Sequence, residues 1–309
     1  MSRLATGLLV VAAALTAACA GSDGSGIGLE RRPLPPVAEV VVTTSTTTVV
    51  QAPSFEVPPA AAEGPAGLAE QIVAAEGAIR DPGTAPDELA TAGHLQQVAY
   101  RTLAGRPEWD AEVAQRVPEG LRPVVAANVG AGRELGRLLR KPREELPAWR
   151  IVVPAPPEEL RRYYEEGQAA FGVPWEYLAA IHLTESRMGR IRGSSPAGAQ
   201  GPMQFLPSTW ARYGKGDIND NHDAILAAAR YLAANGAPGD LANALFRYNP
   251  TPRYVNAVTA YAEQIRADER AYLGYYHWQV YYVTVLGDVW LPVGYEASVP
   301  RPVTPDDLG

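Results

Sequence analysis

The stretch His182–Trp210, HLTESRMGRIRGSSPAGAQGPMQFLPSTW, decides how this chain is read. Its first residues continue a helix that Pro174 starts just after Gly172. At helical spacing, Pro174, Leu178, Ile181, Glu185 and Met188 share one face. Glu185 therefore stands where a buried apolar side chain is expected. Burial disfavours the charged form of a carboxyl, raises its pKa, and lets it donate a proton near neutral pH. The plainer alternative is a solvated Glu at the helix rim. The loop that follows, Ser195–Gln204, combines Gly198, Gly201 and Pro202 with two amides, Gln200 and Gln204. Glycines let a backbone approach a ligand closely, and amides hydrogen-bond a polar substrate without adding charge.

In chain order, Glu185-Ser186, then Gly198-Ala199-Gln200-Gly201-Pro202-Met203-Gln204, then Tyr248-Asn249 resemble the motifs of the lytic transglycosylases. These are lysozyme-like enzymes that cleave the glycan strands of peptidoglycan. Their motifs are a Glu-Ser pair on a helix, a Gly-Leu-Met-Gln loop and a later Tyr-Asn pair. Three ordered motifs are far harder to match by chance than one, and the resemblance spans roughly residues 155–270. It departs at one point: Pro250-Thr251 stands where the family has Ala-Gly after Tyr-Asn.

The resemblance implies a mainly α fold with a lysozyme-like catalytic domain, and a general acid, Glu185, that needs no cofactor or metal. Tyr248 would hydrogen-bond Glu185 and orient it. Ser186 would fix the start of the loop or contact the muramic end. Gln200, Gln204 and the backbone around Met203 would meet the substrate, Asn249 would orient the site wall, and Tyr254 would line the cleft.

Most glycosidases pair two carboxylates. Glu176 lies two and a half turns before Glu185, roughly 14 Å along the axis, too far to serve. One acid without a second carboxylate suits the anhydro-forming reaction of the resembling family. Two readings stay beside it. A water-using muramidase would need Asp217, Asp220 or Asp223 across the cleft. A non-catalytic, peptidoglycan-binding envelope lipoprotein would have no use for a proton donor on an apolar face.

Around this centre the rest of the chain supplies context. There are 27 Lys and Arg against 34 Asp and Glu, a net charge of −7, with no basic cluster to offset it. Nucleic acid is thereby excluded as a partner. Arg3 followed by the apolar run Ala5–Ala18 reads as a secretory signal over residues 1–18. The only cysteine, Cys19, follows the small residues of LTAAC and resembles the lipidated cysteine of a bacterial lipoprotein, which would tie the protein to a membrane outside the cytoplasm. Thr16 replaces the usual Leu, so a simply cleaved signal is the alternative. Residues 19–64 are rich in Gly, Ser, Pro, Thr and Val and read as a tether.

Helical stripes punctuated by Pro and Gly follow over 65–150 (Ile72, Ala75, Ile79; Leu95, Val98, Ala99, Leu103; Val113, Val117; Leu135, Leu138, Leu139). Residues 151–270 hold the catalytic domain. Within it, Asp217, Asn219 and Asp220 lack the full calcium-loop pattern, and Asp220 or Asn221 is expected to cap a helix. Residues 271–309, opening on the aromatic run YLGYYHWQVYYVTVLGDVW, read as a β-hairpin with a loose Pro-rich tail. Its rings, Tyr275, Tyr276, Trp278 and Trp290, would either stack on sugars or cover the preceding helices.

Overall fold

The computed structural model describes residues 57–139 and 141–308. The expected signal, Cys19 and most of the tether lie outside the described residues. The fold is mainly α. Helices α1 (Gly64–Arg80), α2 (Pro86–Ala104), α3 (Asp110–Arg116) and α4 (Arg122–Gly136) come first. Then come α5 (Pro157–Phe171), α6 (Trp175–Ser186), α7 (Pro207–Tyr213), α8 (Asn221–Ala234), α9 (Leu241–Tyr248), α10 (Pro252–Ala267) and α11 (Arg270–Tyr276). Many starts carry Pro in the first turn, where its missing N–H costs nothing. Asp220, Asp240 and Thr251 cap α8, α9 and α10 by accepting backbone N–H bonds. The fourth stripe ends earlier than expected: α4 stops at Gly136, and Leu138 and Leu139 pack from the turn beyond it.

Helix α6 is the axis of the molecule. Every residue of it except Glu176 is buried, and α5, α8, α10 and α11 pack around it. This corrects the single-face reading. A helix enclosed on all sides shows no amphipathic stripe, so its periodicity says little about which side holds Glu185. The same core continues into the N-terminal helices: one buried cluster runs from Leu68 and Ile72 of α1 through Leu178 and Ile181 to Trp278. The segment boundaries read from the sequence do not interrupt it.

Three short antiparallel ladders complete the fold. Strand β1 (Glu145–Leu146) pairs with β6 (Arg301–Pro302), β2 (Arg150–Ile151) with β3 (Ile191–Arg192), and β4 (Val280–Thr284) with β5 (Gly287–Leu291). The hairpin is therefore present, but it starts later than the aromatic run suggested. Arg270–Tyr276 is helical, and Tyr275, Tyr276 and Trp278 are buried at 6% exposure or less. These rings are core: Tyr261, Tyr275 and Trp278 meet edge to face. The tail is not loose either. Arg301 joins the ladder with Leu146 and forms an ion pair with Asp307. Among the described residues no helix is long and apolar enough to cross a membrane.

Candidate active site

Glu185 sits in the last turn of α6, 5% exposed. The helix ends sharply behind it. Arg187, Met188 and Gly189 all adopt left-handed backbone, with φ of 54°, 58° and 80°. The N–H groups of Arg187 and Met188 close back on the carbonyls of Leu183 and His182, both at 3.2 Å. Met188 is thus buried as expected but lies outside the helix. Left-handed conformation costs a non-glycine residue of order 1 kcal/mol or more, and such strain gathers at functional sites. Here it turns the chain immediately so that the motif loop folds back over the carboxyl.

Ser186 secures that fold-back. Its hydroxyl donates to the Pro202 carbonyl at 2.5 Å and accepts the Gly189 N–H at 3.0 Å. The loop is then closed on itself. Gln200 and Phe205 exchange both backbone bonds, at 2.8 and 2.9 Å. Ser195 Oγ accepts from Ala197 and Ala199, and Gln204 Nε2 donates to the Gly201 carbonyl at 2.9 Å. Gly201, at φ +74°, has no room for a side chain: a Cβ there would lie 1.9 Å from the Ile218 carbonyl oxygen. Met203 is wholly buried, so its side chain is core and only its backbone faces the loop's surroundings.

The two tyrosines exchange the roles expected of them. Tyr254 Oη, not Tyr248 Oη, donates to Glu185, at 2.6 Å to Oε1. Tyr248 donates instead to the Met203 carbonyl at 2.6 Å. The two rings lie parallel, with centroids 6.4 Å apart and planes at 4°. Pro250 explains the geometry: with Asn249 extended at the end of α9, Thr251 caps α10 at once and brings Tyr254 into the core within its first turn. The sequence placed Tyr254 at the cleft edge. What it missed was the hydroxyl's target, since two tyrosines six residues apart on separate helices have no relative orientation readable from spacing.

Burial raises the Glu185 pKa to about 8, and the Tyr254 hydrogen bond pulls weakly the other way. At neutral pH this carboxyl is therefore mostly protonated. Tyr248 and Tyr254 are pushed well above the usual phenol range by burial and by the nearby Glu185 charge, so both stay donors. With Oε1 occupied by Tyr254, the proton rests on Oε2.

No second carboxylate hydrogen-bonds Glu185 among the described residues. The aspartates of the polar loop are engaged with one another's backbone instead. Asp223 accepts from Asp217 N, and Asp220 accepts from Asp223 N while His222 meets Glu166 at 2.8 Å. Asp220, His222 and Asp223 are close enough together to hold an ion, but these groups already serve as a cap and loop ties. His182 is buried, bonded to the Tyr164 hydroxyl at 2.8 Å, and held near a pKa of 3 by burial, so it is a neutral core residue. His94 is likewise buried, bonded to Tyr281.

Beside the loop lies a cavity of about 470 Å³ walled by Gln204, Phe205, Tyr231, Phe246 and Tyr248. Its aromatic faces and amide suit a polar ligand, and Arg212 and Arg247 stand in the same wall. Asn249 is 6% exposed, and its side-chain oxygen is buried without a hydrogen-bond partner among the described residues.

Residues 162–270 match the model of the transglycosylase SLT domain family. Over 105 residues, 34% of this chain, the sequence is 35% identical to a protein of Thiobacillus denitrificans named membrane-bound lytic murein transglycosylase F. Over 74 residues, 24% of the chain, it is 34% identical to a protein of the same name from Methylobacillus flagellatus. The matched stretch spans only 20% and 16% of those relatives. No solved structure matches significantly. It is this matched stretch, residues 162–270, that carries the Glu-Ser helix end, the folded-back loop and the tyrosine that meets the acid.

Proposed function

We propose that the protein is a lytic transglycosylase that cleaves the bond between N-acetylmuramic acid and N-acetylglucosamine in peptidoglycan strands. The observation that carries this is Glu185: a buried carboxyl, protonated at neutral pH, held by one tyrosine and without a carboxylate partner among the described residues. Glu185 Oε2–H donates its proton to the glycosidic oxygen as the bond to C1 breaks. The substrate's N-acetyl oxygen stabilises the cation that develops at C1. The resulting carboxylate removes the proton from the muramic C6 hydroxyl, whose oxygen bonds to C1 and closes a 1,6-anhydro ring. One group acts as acid and then as base, which favours a pKa close to the working pH. No water is consumed.

Tyr254 is the orienting donor for Glu185. Tyr248 and Ser186 hold the loop over it by its Met203 and Pro202 carbonyls. The aromatic cavity beside Gln204 takes the sugar chain. The relatives are named as membrane-bound, which supports a place in the cell envelope with anchoring through Cys19. The test is release of soluble fragments from purified peptidoglycan. Wild type solubilises it and Glu185→Gln does not; failure of both to do so, with binding intact, makes this a glycan-binding protein instead.

A further inference from the structure

A second and larger cavity, about 730 Å³, meets the other end of the motif loop. Only Ser194, Ser195 and Pro196 of its walls belong to the family domain. The rest comes from the segment Lys141–Trp149 and from Tyr282, Pro300 and Pro302. These flanks are fastened to the loop. Trp149 Nε1 donates to the Ser194 carbonyl at 3.2 Å. Gly193 is packed so tightly on the Trp149 ring that a Cβ would lie 2.4 Å from Cδ1. Strand β2, just after Trp149, pairs with β3, from which the loop departs. Arg143 is bound by backbone to Val283 and Val285, and β1 to β6. Hydrogen bonds and strand pairing thus join the cavity walls to the loop.

The rim carries charges of both signs, whereas the aromatic cavity is lined by two arginines, Arg212 and Arg247, and no carboxylate. Lys141, Arg143, Glu144 and Glu145 are all exposed there, and among the described residues none forms an ion pair. Below them the wall is aromatic, Trp149 and Tyr282 meeting edge to face at 5.3 Å. An uncharged sugar backbone makes no use of cations and carboxylates set side by side. The peptide stem that branches from the muramic unit does, because it carries both free carboxylates and a side-chain amine.

From this placement we infer that the cavity is a binding site for the peptide stem of peptidoglycan. Lys141 and Arg143 receive its carboxylates, Glu144 and Glu145 its amine, and the Trp149–Tyr282 wall its aliphatic portion. The inference rests on the transglycosylase reading and makes these flanks the part of the protein that distinguishes peptide-bearing strands from bare ones. Exposed charge pairs contribute little affinity singly but discriminate well between ligands.

The experiment compares cleavage rates on intact strands and on strands stripped of peptide by an amidase, for wild type and for a Lys141→Ala/Arg143→Ala variant. Both positions are exposed, and the rate on stripped strands serves as the control for folding. Wild type is expected to favour intact strands several-fold, and the variant to lose that preference while its rate on stripped strands stays unchanged. Equal rates on both substrates for wild type, or an undiminished preference in the variant, overturns the stem site and leaves the transglycosylase reading standing. Cleavage of neither substrate by wild type overturns both.

Discussion

Tyr254 Oη lies 2.6 Å from Glu185 Oε1, joining α10 to the end of α6 across 69 residues of chain. The bond fixes which oxygen carries the proton, so its loss is expected to affect the chemical step more than binding. Tyr254→Phe removes a hydrogen bond that lowers the Glu185 pKa. The variant should lose roughly tenfold or more in kcat, with KM little changed, as expected when a general acid is misaimed. Its alkaline limb should also move to higher pH. A pH–rate profile identical to wild type would deny the tyrosine this role.

Tyr248→Phe separates the two tyrosines. It removes the donor to the Met203 carbonyl and is expected to cost about 1 kcal/mol of stability, the net value of one hydrogen bond. The loop loosens, so KM rises, but the alkaline limb stays in place. If Tyr248→Phe moves that limb and Tyr254→Phe does not, the assignment is reversed.

Ionisation of Glu185 carries a stability signature. Its folded pKa is raised to about 8 from the ordinary carboxyl value of 4.5. Below the lower value both states hold the proton and the penalty vanishes. Between the two the unfolded state alone loses its proton, so stability falls as pH rises, levelling off above about 8. Glu185→Gln removes this term. Denaturant unfolding should show variant and wild type differing little from pH effects near pH 4, with the variant gaining up to about 5 kcal/mol by about pH 8 and little beyond. A gap that does not vary with pH contradicts a buried, protonated Glu185.

Gly201→Ala tests the loop. With φ at +74° and a backbone oxygen where the methyl would go, the substitution forces the Gly198–Gln204 turn away from Ile218. A loss of 2 kcal/mol or more, by analogy with other overpacked positions, together with at least tenfold lower activity, is the expected result. Thermal unfolding and fragment release measure the two effects.

Much of this architecture can be read along the chain because local punctuation carries it. Pro and Gly stops, and the caps at Asp220, Asp240 and Thr251, depend only on residues within one turn. Glu185 was legible because its own motif marks it. The partner of Glu185 was not, since it depends on how α9 and α10 meet around Pro250. Helix α6 was misleading for a related reason: full enclosure erases the periodicity from which a face is inferred. The run around Tyr275 was read as strand from its aromatic content, yet these rings are buried between helices, where packing overrides β-propensity. The Pro-rich tail reads as loose because the strand it pairs with, Glu145–Leu146, lies more than half the chain away.

The most direct test of the account is the mass of the muramic ends that purified protein generates from peptidoglycan, with Glu185→Gln as control. Ends one water lighter than hydrolysis gives, produced by wild type and absent with the variant, are the expected result. Hydrated, reducing ends would contradict it and assign the protein a water-using reaction, with a second carboxylate brought to Glu185 when substrate binds.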